Sequence, residues 1–216
     1  MATYILTSMF SNGFHGKIAE MFQQTIPKRD KFAFVASEFE KMYEKTDKYF
    51  TFFLQAFEEC GIHFNESYVV DGRMKIDEAQ KAVEEADIIW LSGGMTLAQF
   101  GYFQKYGLDT IIKQHKGVVI GMSAGSINMA ETSICTRTCG HIEQKIYKGL
   151  GCVDVSVEPH FVRDKFTEEL VELSGKYKIY GLCDESVIVY ENGKQHFYGE
   201  IYEMYNGKIE LVHFER

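Results

Sequence analysis

Residues 117–126, GVVIGMSAGS, join an apolar run directly to a cluster of small residues around Ser123. The apolar run predicts a buried strand, and a G-x-S-x-G turn after a strand predicts that a helix follows. Gly121 and Gly125 would relieve the crowding that side chains create in such a turn, so the serine hydroxyl would project into solvent. Two interpretations are open at this point: a strand–helix turn with an incidental serine, or a nucleophile held for chemistry.

Strand and helix patterns alternate on both sides of this segment. Strands are predicted at TYILTSMF, KFAFVAS (31–37), SYVV, DIIWL, VVIG and KIYGLCDESVIVY (178–190), and helices over about 47–60, at IDEAQKAVEEA, over about 96–115 and at TEELVELSG. Such alternation builds a mostly parallel sheet with helices on both faces. Asn-Gly dipeptides at 192–193 and 206–207 lie between β-prone runs and predict antiparallel hairpins. We therefore predict one α/β domain over residues 1–216, with an open, mostly parallel sheet and C-terminal hairpins.

Composition excludes several classes of function. The net charge of −8 and the absence of a long Lys/Arg run argue against a nucleic-acid partner. The first residues, MATYILTSMF, lack the cationic start of an export signal, and no apolar run approaches the ~20 residues of a membrane span. The five cysteines have no framework spacing, and Cys135 and Cys139 have no second pair, so we expect reduced thiols, no metal site and a cytoplasmic protein.

Two further segments complete a candidate site. Gly93 and Gly94, in SGGMT, follow DIIWL and so fall at a strand's carboxyl end, where glycines let backbone amides approach a ligand closely. Among the seven histidines, His160 is distinguished by its place after the alternating run VDVSVEP, because Pro159 stiffens the approach to it. Taken singly, each segment is also compatible with an ordinary turn or a surface histidine.

Together, GMSAGS, LSGGMT and EPHF resemble the peptidase E family of serine peptidases, family S51, which is related to the cyanophycinases. The resemblance extends from the first strand to about Gly193. It implies the fold of class I glutamine amidotransferases, with serine in place of their cysteine. It also implies Ser123 as nucleophile, His160 as general base, and the amides of Gly94 and Ala124 as the oxyanion hole.

The acid of the implied triad departs from the family's pattern. The family usually has Gly-Leu/Ile-x-Glu, whereas this sequence has Gly181-Leu182-Cys183-Asp184-Glu185. Counting from the glycine, Asp184 takes the acid's place. Neighbouring residues of an extended segment point to opposite sides, so only one carboxylate should reach the imidazole. We choose Asp184 and keep Glu185 as the alternative.

The resemblance implies hydrolysis of short peptides through an acyl-enzyme, without a cofactor, by a monomer or homodimer. The best-known members resemble dipeptidases that act after an N-terminal aspartate, which requires a cation beside the substrate carboxylate. Arg137 and Arg163 are the candidates, although neither aligns with the family's arginine and both are also compatible with a surface role.

Two other functions compete with this one. An α/β-hydrolase esterase would use the same turn in the chain order Ser, acid, His, for instance Ser123, Asp184 and His213. A non-catalytic protein of the same fold would keep the pocket without the activity, and the displaced acid is the main argument for it.

Overall fold

The structure is a computed structural model that describes residues 2–214. It contains thirteen strands in that range, namely β1 (Thr3–Thr7), β2 (Lys31–Val35), β3 (Glu66–Val70), β4 (Ile88–Leu91), β5 (Val118–Met122), β6 (Thr132–Cys135), β7 (Lys145–Lys148), β8 (Ser156–Pro159), β9 (Ile179–Leu182), β10 (Val187–Glu191), β11 (Lys194–Tyr198), β12 (Ile201–Tyr205) and β13 (Lys208–His213). The α-helices in the same range are α1 (Gly16–Thr25), α2 (Tyr43–Glu59), α3 (Ile76–Glu84), α4 (Thr96–Lys105), α5 (Leu108–Gln114), α6 (Ala124–Met129) and α7 (Glu168–Ser174). A 3₁₀ turn covers Arg163–Lys165.

A seven-stranded sheet in the order β11-β10-β1-β5-β4-β2-β3 forms the centre of the fold. Its five strands from β1 to β3 are mutually parallel, and β10 and β11 close one edge in antiparallel pairing. The predicted open, mostly parallel sheet is therefore confirmed.

Alternating residues of these strands feed two cores, because successive side chains of a strand point to opposite faces. On one face Phe34 and Trp90 pack with aromatic residues of α1 and α2, and the Trp90 and Phe53 ring centroids lie 4.4 Å apart. On the other face Val35 and Leu91 pack with residues of α3, α4 and α5. Each large side chain buried in this way contributes about 1.5–3 kcal/mol, which makes the sheet a rigid platform for the loops at its ends.

A second sheet has four strands in the order β13-β12-β9-β8, in which β8 and β9 are parallel neighbours. The predicted strand KIYGLCDESVIVY belongs to both sheets: its first part is β9 and its second part is β10. Between them the chain turns, with Glu185 at φ 63° and the Ser186 N–H donating to the Cys183 carbonyl. No glycine or proline marks this turn, so the sequence pattern does not reveal it.

Both predicted hairpins are present, but they belong to different sheets. Asn192 and Gly193 join β10 to β11, and Asn206 and Gly207 join β12 to β13, all four with positive φ as a type I′ turn requires. Helix α1 and the hairpin of β6 and β7 were not predicted from sequence. No helix within residues 2–214 combines the length and the apolarity needed to cross a membrane.

Candidate active site

The nucleophile and the two glycines of the candidate site lie where neighbouring strands of the central sheet end. Ser123 follows β5, and Gly93 and Gly94 follow β4 beside it. Strand β1, on the other side of β5, ends just before Ser8. In open α/β sheets this carboxyl edge is where ligands bind. The pairing of β4 with β5 brings the two glycine-containing turns together there.

The backbone at Ser123 is strained. Its φ of 49° and ψ of −104° lie outside the regions that a side chain ordinarily allows. The turn closes tightly around it, since a Cβ on Gly125 would lie 2.2 Å from the Leu91 carbonyl oxygen and one on Gly121 would lie 2.6 Å from the Ser126 nitrogen. Glycine is therefore required at both positions, and the turn has the geometry that presents a nucleophile above a sheet.

Ser123, His160 and Asp184 form a continuous hydrogen-bonded chain. The Ser123 Oγ lies 2.9 Å from Nε2 of His160, and Nδ1 of the same ring lies 2.8 Å from Oδ1 of Asp184. With the proton on Nδ1, the imidazole donates to the carboxylate and accepts from the serine hydroxyl. This is the arrangement in which an imidazole can take the hydroxyl proton.

The imidazole and the carboxylate come from the second sheet. His160 follows β8 and Asp184 follows β9 closely, and these strands are parallel neighbours, so the two side chains also share a carboxyl edge. The candidate site thus lies at the junction of two sheets, with the nucleophile on one and its partners on the other.

Ser8 connects the two sheets at this junction. It is fully buried, its Oγ accepts a hydrogen bond from the His160 backbone N–H at 2.8 Å, and it donates one to Oδ1 of Asp184 at 2.7 Å. Sequence reasoning missed this residue. The available signal was its position directly after the first strand, next to the strand that carries Ser123.

Hydrogen bonding controls the charge of Asp184. The bond to His160 lowers the pKa of the carboxyl, burial raises it, and the bond from Ser8 lowers it again, so that the net shift is downward. The carboxylate is therefore ionised throughout the neutral range and suits the stabilisation of an imidazolium.

The predicted oxyanion donors, Gly94 and Ala124, lie in the two turns that follow β4 and β5. Gly94 has φ 132°, and a Cβ there would lie 2.4 Å from the Ser37 Oγ, so that only glycine fits. A Cβ on the adjacent Gly93 would lie 3.3 Å from the Ser123 Cβ, which places this turn against the serine. Ala124 is the first residue of α6, and amides in a first helical turn have no partner within the helix.

The other candidates lie elsewhere. Glu185 adopts a left-handed backbone conformation, and its N–H donates to the Met9 carbonyl. Nδ1 of His213 lies 2.7 Å from the Gly199 carbonyl oxygen rather than beside Ser123. Among residues 2–214, no group of three or more His, Cys, Asp or Glu side chains is placed to hold a metal ion.

A cavity of about 310 Å³ opens beside Ser123 and His160. Its wall is mostly apolar, and we call it the methionine cavity after four of its lining residues, Met9, Met42, Met95 and Met122. Neither Arg137 nor Arg163 is among the residues that line it. Arg137 instead forms an ion pair with Glu169, its Nε lying 3.6 Å from that carboxylate. The structure therefore does not bring the two predicted arginines to the cavity.

Comparison with solved structures gives the same fold. A peptidase from an acI-B1 Actinobacterium has a TM-score of 0.74 at 16% identity, with 100% of this chain and 96% of that chain covered. A candidate peptidase E protein from Listeria monocytogenes EGD-e has a TM-score of 0.66 at 20% identity, with 92% and 98% covered. At these identities the likeness concerns the fold.

The sequence itself gives the family. Comparison with curated proteins yields no match. The profile described as Peptidase family S51 matches residues 5–198, a span that contains Ser123, His160 and Asp184. Because that match covers most of the chain, the protein belongs to peptidase family S51.

Proposed function

We propose that this chain is a serine peptidase that hydrolyses short peptides through an acyl-enzyme, with Ser123 as nucleophile, His160 as general base and Asp184 as the acid. The observation that carries the proposal is the unbroken hydrogen-bonded chain from the Ser123 hydroxyl through the imidazole to the Asp184 carboxylate. Membership of a peptidase family supports the reaction class.

The proposed reaction has two halves. As the Ser123 Oγ attacks a peptide carbonyl carbon, its proton moves to Nε2 of His160, and Asp184 stabilises the imidazolium. The imidazolium then gives that proton to the leaving nitrogen as the C–N bond breaks. Water, deprotonated by the same imidazole, attacks the ester, and the returning proton releases the serine.

The oxyanion would be held by the amides of Gly94 and Ala124. The start of α6 adds a favourable dipole, because unpaired N–H groups point out of a helix N-terminus. In a comparable enzyme one such donor is worth about 2.7–4 kcal/mol of transition-state stabilisation. Every step uses groups of this chain, the peptide and water.

The size of the cavity favours a small substrate. Its volume of about 310 Å³ is at the small end for ligand sites. We propose dipeptides and similarly short peptides as substrates. A preference for N-terminal aspartate would need a cation at this place, and Lys45, which is the lysine lining the cavity, is the candidate.

Labelling with a fluorophosphonate tests the proposed nucleophile. Wild type should be labelled at Ser123 and should hydrolyse dipeptides, and Ser123→Ala should abolish both. Ser67→Ala is the matched control, because Ser67 lies on β3 at the far edge of the sheet. A wild-type protein that neither reacts with the probe nor cleaves peptides would instead be the non-catalytic protein of this fold.

The geometry of the site does not support the esterase alternative. It needs His213 beside the nucleophile, whereas the hydroxyl of Ser123 is hydrogen-bonded to His160.

A further inference from the structure

The wall of the methionine cavity is unusual in its chemistry. Four of the nine methionines of the chain line it, together with Phe34 and Tyr49. Thioether side chains are flexible and polarisable, so they adapt to apolar groups of different shape. A wall of this kind rewards the burial of apolar surface. Its polar side chains, apart from Ser123 and His160, are those of Ser37, Glu38, Lys45, Thr46, Tyr49 and Ser92.

The position of the cavity decides which part of a substrate enters it. The leaving nitrogen must lie at Nε2 of His160 to receive a proton, and the carbonyl oxygen must lie at the Gly94 amide. Gly93, Gly94 and Ser37, which follow β4 and β2, line the cavity together with Ser123 and His160. The side chain of the acyl residue is attached beside the carbonyl carbon, next to Ser123 and Gly94, and we therefore place that side chain in the cavity.

The wall of the cavity carries one acidic and one basic side chain, Glu38 and Lys45. The Glu38 carboxylate accepts hydrogen bonds from the backbone N–H groups of residues 40–42 and from the Tyr102 hydroxyl. Burial raises the pKa of this carboxyl, but the hydrogen bonds lower the pKa by more than burial raises it. The net shift is downward, so the group is anionic at neutral pH. Lys45 is exposed and lies over the Tyr49 ring, 5.9 Å from its centroid. A substrate carboxylate would meet Glu38 as well as Lys45.

We propose that the methionine cavity binds a large apolar side chain, such as that of leucine, methionine or phenylalanine, on the acyl side of the scissile bond and discriminates against aspartate. The inference rests on the proposed function, because it places the substrate carbonyl at Ser123. It names a different specificity from the aspartate preference that the family resemblance implies.

The test compares kcat/KM for dipeptides X-Leu in which X is leucine, methionine, phenylalanine, alanine or aspartate. The three large apolar residues should be cleaved at least tenfold faster than alanine and at least a hundredfold faster than aspartate. The three should differ little among themselves, because flexible methionines adapt to each.

Met42→Ala links the preference to the cavity. Met42 is 40% exposed, so its truncation should leave the fold intact, and it should reduce the Leu-Leu to Ala-Leu ratio several-fold. Met74→Ala is the matched control, because Met74 is half-buried and lies outside the cavity lining. The ratio of that variant should equal the wild-type ratio.

The outcomes separate this proposal from the proposed function. If Ser123 is labelled by the fluorophosphonate and Asp-Leu is cleaved as fast as Leu-Leu, the specificity proposal is overturned and the peptidase proposal stands. A preference that follows only the leaving residue, measured with Ala-X dipeptides, also overturns it. If Ser123 is neither labelled nor active on any peptide, the proposed function fails.

A readout without turnover covers an enzyme that is labelled but cleaves no dipeptide. Aminoalkyl boronic acids add reversibly to a reactive serine and can protect it from the probe. The boronic acid analogue of leucine should protect at a concentration at least tenfold lower than the analogues of alanine and aspartate. Equal protection by all three would overturn the specificity proposal.

Discussion

The two sheets contribute to the candidate site in different ways. The central sheet supplies Ser123 and the Gly93-Gly94 turn from neighbouring parallel strands, on a platform with a large core on each face. The four-stranded sheet supplies His160 and Asp184 and has a smaller core that includes Phe161 and Leu170. The position of Ser123 is fixed mainly by the tight packing of the glycines around it. The positions of His160 and Asp184 are fixed by their hydrogen bonds to Ser8. Changes to the second sheet should therefore act on alignment and charge rather than on the nucleophile itself.

The largest effect expected on the second sheet comes from the imidazole. His160→Ala removes the group that takes the serine proton, and comparable enzymes lose about 10⁶-fold in kcat after this change. His213→Ala should leave kcat within about twofold, because His213 contacts the Gly199 carbonyl and not the site. Dipeptide turnover by the two variants measures the difference. The reverse result would favour the esterase chain order.

Replacement of the acid, Asp184, should cause a smaller loss of kcat than replacement of His160. Asp184→Asn keeps the shape but removes the charge that stabilises the imidazolium, and a loss of about 10⁴-fold in kcat is expected from comparable triads. Glu185→Gln is the control, since the imidazole is hydrogen-bonded to the Asp184 carboxylate, and it should retain wild-type turnover. A larger loss in Glu185→Gln than in Asp184→Asn would exchange their assignments.

Replacement of Ser8 should disturb the alignment of His160 and Asp184 with Ser123 without removing any reacting group. In Ser8→Ala the His160 backbone N–H and the Asp184 carboxylate each lose a partner. A slight misplacement of the imidazole of this kind should lower kcat by about 10- to 100-fold with little change in KM. Since one donor to the carboxylate is lost, the pKa of Asp184 should also rise relative to wild type.

The control for that variant is another fully buried serine. Ser174 lies on α7, and its hydroxyl donates to the Val171 carbonyl. Ser174→Ala should affect stability but not kcat. Equal losses of kcat in both variants would mean that Ser8 acts only through stability.

The last comparison concerns stability rather than turnover, and it involves a buried carboxyl in the second sheet, two residues before His160. Glu158 is 2% exposed, and burial raises its pKa to about 8 despite hydrogen bonds from the Thr136 hydroxyl. Because the folded state holds a proton that the unfolded state releases, stability should fall by about 1.4 kcal/mol per pH unit from about pH 4.5 to 8.

Glu158→Gln should remove this dependence. The variant should resemble wild type in acid and exceed it in stability above pH 8, where the carboxyl of wild type must ionise in the core. Urea unfolding at pH 5, 7 and 9 measures the slope. An unchanged slope in the variant would show that Glu158 does not cause it.

Much of the first sheet and its half of the site could be predicted from sequence because the signals there are local. The run GVVIGMSAGS contains the strand, the required glycines and the serine within ten residues, and apolar patterning determines which strands are buried. The glycines at 93 and 94 are equally local. Their place at a strand's carboxyl end follows from the apolar run DIIWL that precedes them, whereas only the structure shows that this strand is a neighbour of β5.

The second half of the site was less accessible to sequence reasoning. His160 and Asp184 were selected partly by resemblance to a family. A lone histidine or a pair of adjacent carboxylates has no local sequence pattern that marks it as catalytic. The turn at Glu185, which leaves only Asp184 beside the imidazole, contains no residue that marks a left-handed conformation. Ser8 lies far from both partners in the chain, and no local pattern predicts its two hydrogen bonds.

The sequence by itself determined the α/β class, the strained turn at Ser123 and the family, because these depend on residues that are neighbours in the chain. Only the tertiary structure decided that two sheets meet at the site, that Ser8 joins them and that methionines rather than the predicted arginines line the cavity. Those features depend on contacts between distant segments, whose geometry is set by the packing of the whole chain and not by the pattern of any one segment.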